Sequence, residues 1–98
     1  MLKVSTKSGE RGQSALEEKK YWYVYLLRCS DSTIYTGCTG NLSERMKRHN
    51  NKEVLYTSTR LPFELITYIA FDDKYKAFKF EKYLKSGSGK AFSNKRFL

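Results

Sequence analysis

From Tyr21 to Cys29 the chain reads Tyr-Trp-Tyr-Val-Tyr-Leu-Leu-Arg-Cys, an aromatic and β-branched run followed by the turn formers Ser30-Asp31-Ser32. Such a run predicts a central strand. Thr33 to Thr36 resumes the pattern, so the two segments pair as an antiparallel hairpin, with Gly37 and Gly40 marking its exit. Asn41, followed three residues later by Glu44, fits a helix N-cap with reciprocal hydrogen bonding. That helix extends to about Asn50, where Asn50-Asn51 interrupts it, and its apolar stripe is Leu42 and Met46. Residues 51–63 form a connection with a basic, hydroxyl-rich centre, Tyr56-Thr57-Ser58-Thr59-Arg60, and a proline at 62. Phe63 to Phe71 alternates into a third strand. Asp72 or Asp73 caps a second helix to about Ser86, Gly87 is a left-handed stop, and a short final helix starts near Gly89. The order β-β-α-β-α-α predicts a small α/β domain with a three-stranded mixed or antiparallel sheet flanked by helices.

A chain of 98 residues builds one core. Residues 1–20 carry only Leu2, Val4, Ala15 and Leu16 as apolar side chains, too little to offset the entropy of ordering, so they are expected to be a flexible leader before a domain at 21–98. They lack the apolar stretch of a signal peptide, and no run approaches the ~20 residues of a membrane span. Cys29 and Cys38 lack the clustered companions of a zinc site and are expected as reduced thiols in the cytoplasm, without a disulfide. With 19 Lys and Arg against 10 Asp and Glu, the formal charge is +9, interleaved with 8 Tyr and 6 Phe. That combination suits a polyanion partner, although a merely soluble basic surface gives the same count.

Two side chains go against the apolar pattern. Helical spacing sets Leu42, Arg45, Met46 and His49 on one side, so Arg45 flanks the buried stripe. In the second helix, Ala77, Glu81 and Leu84 share a face, which puts a carboxylate within an apolar surface where it needs a partner. Arg45 and Glu81 either pair with each other across the sheet edge, snorkel outward, or serve chemistry. Tyr25 and Tyr35 fill strands as tyrosines routinely do, and a histidine near a helix end is ordinarily a surface residue.

Taken jointly, Tyr23-Val24-Tyr25, Tyr35-Thr36-Gly37 ten residues on, Asn41-Leu42 with Arg45 and His49, and Glu81 in a later helix resemble the GIY-YIG nuclease superfamily over residues 22 to about 90. Leu84-Lys85-Ser86-Gly87 after Glu81 is similar to its small stand-alone members. Four departures stand out. The first tripeptide has lost its glycine, the second has threonine for isoleucine, and Cys38 and His49 replace a lysine and a tyrosine found in some members. Asn94 is out of register with a supporting asparagine of the excinuclease domain and is left unassigned.

The resemblance implies a metal-dependent endonuclease acting on DNA phosphodiesters. Glu81 would hold one divalent ion, Mg²⁺ or Mn²⁺, since oxygen ligands and retained waters suit hard cations. Arg45 would contact the scissile phosphate with its planar fork. Tyr35, Tyr25 or His49 would take the proton of the attacking water. A phenol with an ordinary pKa near 10 needs nearby positive charge for that role. Lys47, Arg48, Lys52, Thr57, Arg60 and the lysines of the second helix would add phosphate contacts outside the site, giving salt-sensitive and weakly sequence-specific binding. Alternatively they form a solvated charged face, and the fold could serve as a DNA-binding module that cleaves slowly or not at all. Specificity would then come from a targeting partner, a homodimer or substrate shape. Ser86-Gly87-Ser88-Gly89-Lys90 lacks P-loop spacing and follows a helix, so it is expected to be a helix stop and hinge.

Overall fold

The computed structural model describes residues 20–98, so the leader expected over residues 1–20 lies outside the described residues except for Lys20. Strand β1 (Trp22–Arg28) is the centre of a three-stranded sheet of order β2-β1-β3, with β2 at Ile34–Thr39 and β3 at Glu64–Phe71. Both pairings are antiparallel, which settles the mixed-or-antiparallel alternative. Between β1 and β2, Cys29 N–H donates to the Thr33 carbonyl at 2.9 Å and Ser32 takes a left-handed φ of 70°. The Asp31 carboxylate accepts from both the backbone and the hydroxyl of Thr33, at 3.1 and 2.6 Å. The short-range chemistry of Ser30-Asp31-Ser32 thus closes the hairpin.

Period-two alternation sends Val24 and Leu26 to one face of β1 and Tyr25 and Leu27 to the other. All four are buried, because helices cover both faces of the central strand. Helix α1 spans Leu42–Asn50, a short helix α2 spans Leu55–Ser58, α3 spans Lys74–Leu84 and α4 spans Gly87–Arg96. α3 packs across all three strands, and its Ala77 and Leu84 join Val24 and Leu26 in the main core. Burying each large aliphatic side chain here contributes on the order of 1.5–3 kcal/mol. β3 is an edge strand, and its Leu65 and Tyr68 remain 38% and 50% exposed. No helix among the described residues is long and apolar enough to cross a membrane.

Several expectations hold, and others need correction. Asn41 caps α1, its side chain accepting from Glu44 N–H at 3.0 Å. The reciprocal bond is replaced, however: Asn41 N–H donates to the Thr39 hydroxyl at 3.1 Å. Asp73 caps α3 and Ser86 caps α4. Gly87 is not a left-handed stop, since no glycine among the described residues has a positive φ; it is the first residue of α4. Gly89 is packed closely instead, because a side chain there would strike the Tyr83 carbonyl and the Leu84 backbone. The strand expected to end at Thr36 continues to Thr39 with Gly37 inside it, opposite Tyr25. A Cβ at Gly37 would clash with the hydroxyl end of the Tyr25 ring, so this glycine serves a close approach rather than a turn.

Gly37→Ala is therefore expected to destabilise the domain by about 1–3 kcal/mol in thermal or urea unfolding, through overpacking against Tyr25. Gly87→Ala, where nothing lies within 4 Å, is expected to be neutral or stabilising by up to about 1 kcal/mol. Equal effects at the two positions would contradict the packing account.

Candidate active site

The absence of a side chain at Gly37 lets the Tyr25 phenol lie across β2 and reach the sheet edge. α1 starts at the same edge. Its cap fixes the helix phase, so Arg45 and His49, four residues apart, present themselves to that phenol. Tyr25 Oη lies 2.8 Å from His49 Nε2, and Arg45 Nη1 donates to Tyr25 Oη at 3.4 Å. On the far side of the imidazole, Nδ1 lies 2.7 Å from the Thr57 hydroxyl, which donates in turn to the Val54 carbonyl at 3.4 Å. In the tautomer that satisfies every group, Thr57 donates to that carbonyl and accepts Nδ1–H, and Nε2 accepts the Tyr25 proton. The chain of donors runs from Tyr25 through His49 and Thr57 to the backbone.

Burial controls the charge of this pair. His49 is fully buried, and desolvation, with Arg45 and Arg48 pushing the same way, lowers its pKa from 6.5 to about 4. Burial likewise raises the Tyr25 phenol well above its ordinary value, aided by the neighbouring Tyr35 and opposed by Arg45. Both groups are neutral near pH 7, and Tyr25 is held as a proton donor. Tyr35 completes an aromatic cluster, its ring 5.2 Å from His49, 6.1 Å from Tyr25 and 5.5 Å from Tyr56.

Glu81 approaches from the other face of the sheet. Cys38 follows Gly37 on β2 and points to that face by alternation. Burial raises its thiol pKa, with Glu81 adding to the rise while Arg45 and Lys85 oppose it. Glu81, Arg45 and Lys85 thus lie within electrostatic reach of one thiol, and the β2 edge gathers groups from both faces. The half-buried Glu81 carboxylate pairs with Lys85 at 3.0 Å, one turn along α3. Among the described residues it does not pair with Arg45, contrary to one alternative read from spacing. As a donor set, a single accessible carboxylate fits Mg²⁺ or Mn²⁺ completed by waters and substrate phosphate. No group of three or more His, Cys, Asp or Glu able to hold a metal occurs among the described residues. A divalent ion held here would bind Glu81 once Lys85 gives way.

The residues expected to contact nucleic acid divide. Lys47, Arg48 and Lys52 are exposed, with Arg48 paired to Glu53 at 3.3 Å. Arg60 is engaged in the fold: its guanidinium stacks 4.0 Å over Tyr56, its Nε reaches Asp31 at 3.0 Å, and Nη1 donates to the Tyr56 carbonyl. Thr57 is fully buried beneath His49 and is not a surface contact, which corrects the expectation from its hydroxyl-rich setting. His49 is interior, which sets aside the ordinary alternative of a surface histidine at a helix end. Sequence reading also missed Tyr56, Lys90 and Asn94, which line a cleft beside Tyr35 and Lys85. Only the i,i+4 spacing of Glu81 and Lys85 offered a signal for any of this.

Comparison with known proteins finds a matching family and relatives of the same fold. The family model described as the GIY-YIG catalytic domain matches residues 21–96. UPF0213 protein YsiG of Lactococcus lactis is 42% identical over 65 residues, covering 65% of this chain and 62% of that protein. The chain thus spans about three-fifths of that relative's length. UPF0213 protein CPE1444 of Clostridium perfringens is 44% identical over 64 residues, covering 64% of this chain and 69% of that protein. The solution structure of UPF0213 protein BH0048 from Bacillus halodurans is 35% identical, with a TM-score of 0.50 over 76% of this chain and 83% of that one. It shares the three-stranded α/β fold.

His49 stays neutral in the folded protein down to about pH 4 and titrates near 6.5 when unfolded. Between those values the unfolded state binds more protons, so stability is expected to fall as pH drops from about 6.5 towards 4, by about 1–3 kcal/mol from this group. Urea unfolding at stepped pH should show that slope, and His49→Gln should remove its share. Thr57→Val, which leaves Nδ1–H unsatisfied, is expected to cost about 1–3 kcal/mol at pH 7, with Thr57→Ser recovering most of it.

Proposed function

Because the chain belongs to the GIY-YIG catalytic-domain family, we propose that it is a metal-dependent endonuclease that hydrolyses DNA phosphodiester bonds with little sequence specificity of its own. The observation that carries this reading is the convergence at the β2 edge. The Arg45 guanidinium meets the Tyr25 hydroxyl at 3.4 Å beside the Tyr35 ring, and α3, which carries Glu81, packs on the other face of β2. Phosphoryl chemistry needs positive charge on the phosphate oxygens and a path for the proton of water. Arg45 supplies the first with a planar donor fork suited to phosphate. A divalent ion on Glu81 would stabilise charge on the phosphate and the leaving oxygen.

The chain's own residues offer the proton path. Tyr25 and His49 are fully buried and back the site through their 2.8 Å hydrogen bond. Tyr35, partly exposed beside them, accepts a proton from water as it releases its own to solvent, and the resulting hydroxide forms the new bond to phosphorus as the bond to the leaving oxygen breaks. Tyr35, against the His49 ring, orients the water within the aromatic wall. Lys47, Arg48 and Lys52 extend the basic track along the backbone of the substrate, and targeting beyond DNA shape falls to a partner protein or a homodimer. Two free thiols suit a reducing, cytoplasmic setting.

One observation favours the alternative of a binding module with weak or no catalysis: Lys85 already neutralises Glu81 at 3.0 Å. Incubation with supercoiled, branched and single-stranded DNA in Mg²⁺, Mn²⁺ or chelator separates the two. Metal-dependent cleavage is expected, and Glu81→Gln and Arg45→Lys should each lower it about 100-fold or more. Cleavage unchanged in both variants would remove the proposed site, and DNA binding without cleavage in any metal would establish the module.

A further inference from the structure

The cleft beside the site has a composition that a phosphate backbone alone does not require. It encloses about 550 Å³, within the roughly 300–1,000 Å³ of small-molecule sites. It lies along the open edge of β2, between the tip of α2 and the packed ends of α3 and α4. Leu26, Ile34 and Leu84 line it with apolar surface, and Leu26 and Leu84 belong to the main core. Tyr35 and Tyr56 stand together in its wall, and Lys85 and Lys90 lie on its lining. The exposed side-chain amide of Asn94, which offers both donor and acceptor, is also part of it.

An apolar interior with aromatic walls stabilises the faces of a planar base and rejects a phosphate, whereas two lysines favour an adjoining phosphate. Bases within a duplex keep their faces stacked on neighbours, so only an unpaired or extruded nucleotide can present itself in this way. Two residues of the cleft also belong to the candidate site: Tyr35, in contact with His49, and Lys85, paired with Glu81. A base seated there lies next to the reacting phosphate.

We infer that the cleft receives an unpaired nucleotide flanking the scissile phosphate, so that the preferred substrate is DNA with unpaired bases at the cleavage point, such as a flap, a bulge or a single strand. The inference rests on the nuclease reading for the position of the phosphate, but the cleft can be tested by binding alone. Oligonucleotides carrying 2-aminopurine, either unpaired or within a matched duplex of the same sequence, are titrated with the protein in chelator. Lys90→Glu reverses charge at the cleft, and Thr36→Leu fills it from β2; neither residue belongs to the reaction path described above, and thermal unfolding verifies that each variant folds.

The expected result is a change in 2-aminopurine emission at the unpaired position only. Affinity for the unpaired probe should fall about tenfold in each variant, the scale of one stacked base, with duplex affinity unchanged. Equal affinity of the wild type for paired and unpaired probes, or equal losses for both probes in the variants, overturns the inference. Cleavage of matched duplex without preference for unpaired DNA overturns it too while leaving the nuclease reading intact. Selective, variant-sensitive binding of unpaired DNA with no cleavage in any metal supports the cleft and removes the nuclease reading.

Discussion

The structure turns on the passage of one phenol over one glycine. Tyr25 leaves the central strand, crosses the empty position at Gly37 and ends 2.8 Å from His49 Nε2. Without that crossing the tyrosine would be enclosed on the face it starts from, and α1 would have no polar group to meet at the sheet edge. With it, the last turn of α1 is fixed against the sheet through a buried hydrogen bond, and Arg45 one turn earlier is aimed at the same oxygen. Buried polar groups are tolerated only when satisfied. Thr57 and the Val54 carbonyl complete the chain that makes His49 acceptable in the interior.

Electrostatics divides the site into a neutral half and a charged half. Tyr25 and His49 are kept uncharged by burial, while Arg45, Glu81 and Lys85 keep partial access to water. The ion pair between Glu81 and Lys85 has the geometry of an ordinary helix-surface contact, which is worth only a few tenths of a kcal/mol. A pair that weak yields readily to a divalent ion or to a phosphate that draws the lysine away. The carboxylate is thus screened in the free protein without being locked.

Much of this was legible in the sequence where local chemistry decides. The apolar run from Trp22 to Leu27 gave the central strand, Asn41 and Asp73 gave two helix starts, and the tyrosine tripeptides with Arg45 and Glu81 gave the family. The failures share a cause. Gly37 looks like turn glycine because a glycine needed for close approach and one needed for a turn are the same letter, and only the opposing Tyr25 distinguishes them. Gly87 sits where one helix ends and the next begins, so the Ser86 cap, two residues after Leu84, outweighed the stop signal. Thr57 was misplaced on the surface because it is covered by His49, eight residues away, while His49 is covered by Thr57 and Tyr25. Composition at those positions carries no trace of that mutual cover.

The tie made by Arg60 has a mechanical consequence. Its guanidinium stacks on Tyr56 and binds Asp31, while its carbonyl accepts from Ser30 N–H at 2.9 Å. The hairpin tip and the segment carrying α2 are thereby riveted together. That segment behaves as a strut rather than a flap, for lifting it would break the stack and these bonds at once and strip Thr57 from the imidazole. Whatever reaches this site meets a fixed wall on that side, held by the same bonds that close the hairpin.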